Sequence, residues 1–165
     1  IIKGDEYMPK FKEADFYYGA VLSMLISKNV NPILIENNND RQVYDLTTNK
    51  NEYRAFIKYR TLKKKIKTDN YNSWDFNLIN DYDELKRYIN EGKNVLLFLV
   101  CGSSNLKESE LAILNKDEIM KIFNNQKKTI TISRKKHERA FRIAMGGGRD
   151  NALPIKNDRF EELFS

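Results

Sequence analysis

Two residues in the stretch Gln42 to Arg60, QVYDLTTNKNEYRAFIKYR, are of the types that phosphodiester chemistry uses. Asp45 follows the apolar pair Val43–Tyr44, and Lys58 closes the apolar run Ala55–Phe56–Ile57. The polar segment between the two halves reads as a turn, so the stretch predicts a hairpin. A carboxylate and an ammonium on neighbouring strands of one hairpin come close enough to act together. An acid that holds a hard cation, beside a lysine that steadies developing charge, is what a metal-dependent phosphodiesterase requires. Glu36, at the end of the preceding apolar run, would supply a further carboxylate; Glu52 and Asp75 are more remote choices.

The elements that must hold these residues follow from hydrophobic period. Phe11 to Lys28 carries apolar residues at helical spacing, and Asn29 to Pro32 stops it. Pro32 to Glu36 is a short apolar strand, Asn37 to Asp40 a turn, and the hairpin follows. Thr61 to Ser73 reads as a loop or strand extension, and Trp74 to Ile79 as a strand or helix entry. Asp81 to Asn90 predicts a helix closed by Glu91–Gly92. Asn94 to Cys101 is the most apolar strand, expected to be central. A strand over Glu110 to Leu114 and a helix opening near Asn115 come next. Lys128 to Ser133 alternates with period two, and Arg139 to Met145 does likewise, which predicts a basic hairpin. The tail from Pro154 ends in a short helix. The pattern as a whole is an α/β (α+β) chain with one mixed β-sheet flanked by helices.

Charge narrows the partners. The 165-residue chain has net charge +6, unevenly placed. Lys58, Arg60, Lys63, Lys64, Lys65 and Lys67 form one block with no acid among them. Lys127, Lys128, Arg134, Lys135, Lys136, Arg139 and Arg142 form another, opposed only by Glu138. Positive charge gathered into two blocks favours a polyanion, here nucleic acid. No apolar run approaches the length of a membrane span. The opening residues, IIKGDEYMPK, are mixed and charged, unlike a secretory signal. A single cysteine permits no internal disulfide, and a cytoplasmic setting is expected. Cys101 reads as a core thiol. His137 is the one histidine, so a Cys/His zinc site and a histidine-driven nucleophile are set aside. Gly146–Gly147–Gly148–Arg149–Asp150 lacks the ending of a phosphate loop and reads as a turn.

The element order, with an acid on the second strand and a lysine on the third, resembles the PD-(D/E)xK nuclease superfamily. The likeness is to the restriction-endonuclease-like fold, and within it to the branch containing Holliday-junction resolvases. The resemblance covers roughly Phe11 to Leu114. Asp45 is followed by ten residues and then Phe56, Ile57 and Lys58, where the family carries Glu or Gln at the first of these three positions. The family's helix-borne glutamate is not evident, Glu13 lying a turn too early. The resemblance implies a Mg²⁺-dependent endonuclease acting on DNA, with Asp45 and Lys58 catalytic and Asp45 and Glu36 on the metal. Arg60, Lys63, Lys64, Lys65, Lys67, Arg134, Lys135, Lys136 and Arg139 would meet the nucleic acid. The length fits one domain over 1–165: a nuclease-like core over about 11–114, where the resemblance applies, then a C-terminal hairpin and tail. Phe56 offers no oxygen to a hard cation. A non-catalytic nuclease-fold module that binds nucleic acid or a partner protein is therefore the alternative. A homodimer or a larger multidomain context stays open, as does an unrelated mixed-sheet protein that binds a partner through its basic hairpin.

Overall fold

In the computed structural model, which describes residues 10–62 and 71–165, alternating and continuous apolar runs build two sheets and the helices that cover them. Helix α1 spans Glu13–Ser27, and strands β1 (Asn31–Asn37), β2 (Gln42–Thr47) and β3 (Glu52–Thr61) follow. Asn29, at φ 59°, takes the left-handed turn that ends α1. Strand β4 (Tyr71–Asn77), helix α2 (Tyr82–Asn90), strands β5 (Val95–Gly102) and β6 (Glu110–Leu114) and helix α3 (Lys116–Asn124) come next. Strands β7 (Thr129–Lys135), β8 (Ala140–Ile143) and β9 (Leu153–Lys156) and helix α4 (Arg159–Phe164) complete the order.

The first sheet runs β1-β2-β3-β5-β6. β1, β2 and β3 form an antiparallel meander, β3 and β5 are parallel, and β6 returns antiparallel. The parallel pair requires a crossover, which carries β4 and α2. The sequence predicts one mixed sheet; instead β4, β7, β8 and β9 form a second, wholly antiparallel one. β4 and β7 are more than fifty residues apart, and β9 begins beside Pro154, a residue that cannot donate to a ladder. Local period assigns β7 and β8 and their hairpin, leaves β4 as a strand or helix entry, and does not foresee β9 or the pairing that joins β4 and β9 to that hairpin.

Strand β5 explains the layering. All eight of its residues are buried, as a strand covered on both faces must be. Leu97, Leu99 and Cys101 point to the core shared with Trp74, Phe76, Ile130, Ile132 and Phe141 of the second sheet and with α2 and α3. Leu96, Phe98 and Val100 point the other way, to Tyr17, Tyr18, Val21 and Leu25 of α1 and Phe160 and Phe164 of α4. β5 is interior, as its sequence predicts, and β3 holds the middle place. Burial pushes the Cys101 thiol well above its usual pKa, in keeping with a core role.

The two parallel strands end where α1 presses closest. A Cβ on Gly102 would lie 2.6 Å from Tyr17 Cζ and 2.9 Å from the Arg60 carbonyl oxygen. Gly102→Ala is expected to lower stability by about 1–3 kcal/mol through this overpacking, read from urea unfolding. Gly19, with open space around its Cα, is the control: Gly19→Ala should be neutral or up to about 1 kcal/mol stabilising.

Candidate functional site

The Gln42–Arg60 hairpin forms, but its register sets Asp45 and Lys58 apart. Thr47 pairs with Glu52, which places Asp45 opposite Arg54 and Gln42 opposite Ile57. Lys58 is four residues further along β3 than Arg54, roughly 13 Å of strand. Asp45 accepts two hydrogen bonds from Arg54, from Nε at 2.8 Å and Nη2 at 3.0 Å. Those bonds hold the Arg54 guanidinium above its usual pKa, and Tyr88 adds a further partner at 3.1 Å. The expected Asp45–Lys58 pairing is thus corrected: a four-residue turn fixes the register, and Asp45 is half of a bidentate ion pair.

Lys58 has different partners. Phe56 and Lys58 point to the same face of β3, and both are buried, Lys58 at 3% exposure. The Lys58 ammonium donates to Asp40 Oδ2 at 2.9 Å and to Asp81 Oδ2 at 2.7 Å. Asp81 precedes α2 and is wholly buried; its second oxygen accepts from Arg41 Nη1 at 2.7 Å. Arg41 also binds Glu36 (2.8 Å) and Glu84 (2.6 Å), and its guanidinium lies 4.9 Å above the Phe56 ring. Burial pulls the Arg41 pKa down, but the bonds from Glu84, Asp81 and Glu36 outweigh it and hold it above the ordinary value. The turn before β2 aims both residues: Asn38 Oδ1 accepts from the amides of Asp40 and Arg41 at 2.8 and 2.9 Å.

Two cations thus face four carboxylates, drawn from β1, the turn before β2, β3 and the start of α2. A buried charge left unpaired is expensive, and every member that is deeply buried here is paired. Glu36 joins this network through Arg41 and makes no bond to Lys58. One buried group nearby has no hydrogen-bond partner among the described residues: the Tyr18 hydroxyl, its pKa pushed up by burial and by the charges around it, Asp40 and Asp81 included.

A cleft of about 490 Å³ opens over Lys58, lined also by Glu13, Asp40, Tyr59, Arg60 and Thr61. Glu13 reaches it because the first turn of α1 crosses the end of β3, where Thr61 Oγ1 donates to Glu13 Oε1 at 2.7 Å. Spacing along the sequence alone puts Glu13 too early; the crossing brings it in. Asp40, Arg41 and Asp81 are likewise missed by motif spacing. The hairpin register would have found the first two, since continuing the ladder past Gln42–Ile57 sets Lys58 opposite Arg41.

The basic residues divide. Arg60 is exposed and donates to the Asp75 carbonyl at 3.2 Å. Lys63, Lys64, Lys65 and Lys67 lie outside the described residues. Arg134 is held by Glu110 at 3.3 Å and by the Lys135 carbonyl. Lys135 is half-buried, Lys136 and Arg139 are exposed, and none of the three has a carboxylate partner among the described residues. Of the more remote acids, Asp75 accepts from Thr131 at 2.6 Å, and Glu52 closes the exposed turn.

The ligand set that the resemblance implies for Mg²⁺ does not fit. That cation needs several oxygens converging at octahedral positions. Asp45 is engaged with Arg54, Glu36 with Arg41, and Phe56 supplies no oxygen. No cluster of three or more His, Cys, Asp or Glu side chains suited to a metal stands among the described residues. Compared with family models, curated proteins and solved structures, the chain matches none.

Proposed function

We propose that the chain is a restriction-endonuclease-like module that binds nucleic acid, DNA in the first instance, without the metal engine its hairpin resembles. Apart from β4, which leaves to join the second sheet, the order α1-β1-β2-β3-α2-β5, with a lysine on the middle strand, supports the fold assignment. One observation carries the binding function: how the cations are distributed. Arg41, Arg54 and Lys58 are spent inside on carboxylates, whereas Lys135, Lys136 and Arg139 stand together on the β7–β8 hairpin with none among the described residues. His137, at φ 71°, makes the tight turn that brings the two arms of that hairpin together. Cations free of internal partners are those that can release counterions from a phosphate backbone.

Fluorescence anisotropy on duplex and single-stranded DNA across a salt series tests this reading. Affinity should fall with salt, and replacing Lys135, Lys136 and Arg139 together by Gln should weaken binding about tenfold or more. The log–log salt slope should drop by roughly 2–3, at about 0.9 per phosphate contact. An affinity indifferent to salt would sink the proposal.

A second reading is favoured by the cleft, where Glu13, Asp40 and Lys58 face one space. On that reading the chain hydrolyses phosphodiesters through Lys58 and its own acids. Incubating DNA with Mg²⁺ or Mn²⁺ separates the two. Intact DNA supports the binding module; cleavage lost in Asp40→Asn but kept in Asp45→Asn supports hydrolysis.

No described helix is long and apolar enough to cross a membrane. A cytoplasmic setting belongs to the same proposal, supported by a single, buried cysteine in place of a disulfide framework.

A further inference from the structure

Tyr88, near the end of helix α2, is surrounded by positive charge. The Arg54 and Arg87 guanidinium carbons lie 5.0 and 5.1 Å from its ring centroid, and the Lys93 ammonium lies 4.6 Å from it. Cations gathered this closely stand within about one Debye length of each other at 0.1 M salt, so salt does not remove their repulsion. Asp45 offsets one of them, bound to Arg54 by two hydrogen bonds. Arg87 and Lys93 have no carboxylate partner among the described residues, although Asp83 and Glu91 each stand four residues from Arg87 along the chain. The end of α2 does not need these cations either. Backbone amides take its last carbonyls: Glu91 donates to Arg87, Gly92 to Ile89 and Lys93 to Tyr88, each at 3.0 Å, with Gly92 left-handed at φ 81°.

Beside this cluster opens a cleft of about 780 Å³, lined by the β2–β3 turn (residues 48–51), the α2–β5 turn (residues 92–94), Asp45 and Arg54. A cleft of that volume suits a ligand of nucleotide size. Its walls are preformed. Thr48 Oγ1 accepts from the Lys50 and Asn51 amides at 3.2 and 3.0 Å, and the Arg54 amide donates to the Asn94 carbonyl at 2.9 Å, tying the second turn to β3. Arg54 is fixed as well. Asp45 and Tyr88 hold three of its five N–H groups, which leaves one on each Nη for a further acceptor. Lys50 and Lys93 bring one cation from each turn, and Asn49, Asn51 and Asn94 bring amide donors.

We infer that this cleft binds a phosphate group, the monoester carried by a free nucleotide or by the end of a nucleic-acid strand. The charge around Tyr88 selects that class: three cations less Asp45 leave an excess of two, and a phosphate monoester carries close to two negative charges at pH 7. Arg54 offers its two free N–H groups in the fork that matches two phosphate oxygens, and Lys93 and Arg87 complete the neutralisation. Asp45 is then a positioning residue, holding Arg54 in place before the ligand arrives. The cleft shares no residue with the β7–β8 hairpin and stands or falls independently of DNA binding there.

Isothermal titration calorimetry of the full chain tests the inference. AMP should bind one per chain with a Kd of about 1 mM or tighter, inorganic phosphate should compete with it, and adenosine should give no heat of binding. Arg87 and Lys93 are exposed, so Arg87→Gln/Lys93→Gln folds as the wild type does, and it should weaken AMP binding about tenfold or more. Lys107→Gln/Lys116→Gln, which removes two exposed lysines outside the cleft, should change it by less than about twofold. A short oligonucleotide with and without a 5′-phosphate, titrated in the Lys135→Gln/Lys136→Gln/Arg139→Gln background, identifies the source. Tighter binding of the phosphorylated strand assigns the site to strand ends, and no difference between the two, with AMP still bound, assigns it to free nucleotides. No binding of AMP at about 10 mM, equal affinity for adenosine, or equal losses in the two double variants would each overturn the inference.

Discussion

Asp81→Ala is expected to lower the unfolding free energy by about 3–5 kcal/mol, far more than the loss of an ordinary surface acid. Asp81 is wholly buried and, among the described residues, is the one carboxylate that touches both Lys58 and Arg41. Removing it leaves an ammonium and a guanidinium, both almost wholly buried, short of a partner. Lys58→Met should cost less, about 1–3 kcal/mol, because Asp81 keeps Arg41 and the half-exposed Asp40 can turn to water. Urea unfolding of the two variants and of the double variant measures the difference. Equal losses in the two single variants would show that Asp81 is not shared in the way its geometry indicates.

Phe56→Glu restores the acid that the nuclease pattern calls for, and it should abolish cooperative folding at 25 °C. Phe56 is 0% exposed and packs edge-on against Tyr88 at 6.1 Å. Losing the aromatic ring alone removes about 3–5 kcal/mol. The new carboxylate must then be buried, and Arg41, the nearest cation, already serves three acids. Together these exceed the margin of a domain stable by about 5–15 kcal/mol. Phe56→Leu, which keeps the chemistry and most of the volume, should lose under about 1.5 kcal/mol. A soluble Phe56→Glu protein with a sharp unfolding transition would mean that the strand has an alternative way to house an acid.

Much of the fold is legible because local rules and tertiary outcome agree. The Thr-Ile-Thr-Ile alternation of β7 and the continuous apolar run of β5 each state their burial. Asn115 opens α3 as its type predicts, its side chain accepting from the Glu118 amide at 2.9 Å while the Glu118 carboxylate accepts from the Asn115 amide at 3.0 Å. The candidate site is less legible. Lys58 stands out as a lysine in an apolar strand, but its acids come from a turn 18 residues before it and a helix start 23 residues after it. Nothing in the spacing of Asp40 and Asp81 distinguishes them from solvated acids. Their convergence depends on the hairpin register and on α2 folding back across β3. Asp45 attracts attention through its apolar flanks, yet its partner is the arginine directly across the ladder.

Trp74 is the chain's one tryptophan, and its position gives it a use of its own. Its indole N–H donates to the Gly102 carbonyl at 2.9 Å, so a side chain of the second sheet is bonded to the last residue of β5 in the first. Its fluorescence therefore reports on the seam between the sheets and on little else. If the seam opens before the sheets melt, tryptophan emission will shift red at a lower urea concentration than the far-ultraviolet dichroism changes. If the two signals coincide, the sheets stand and fall as one cooperative unit.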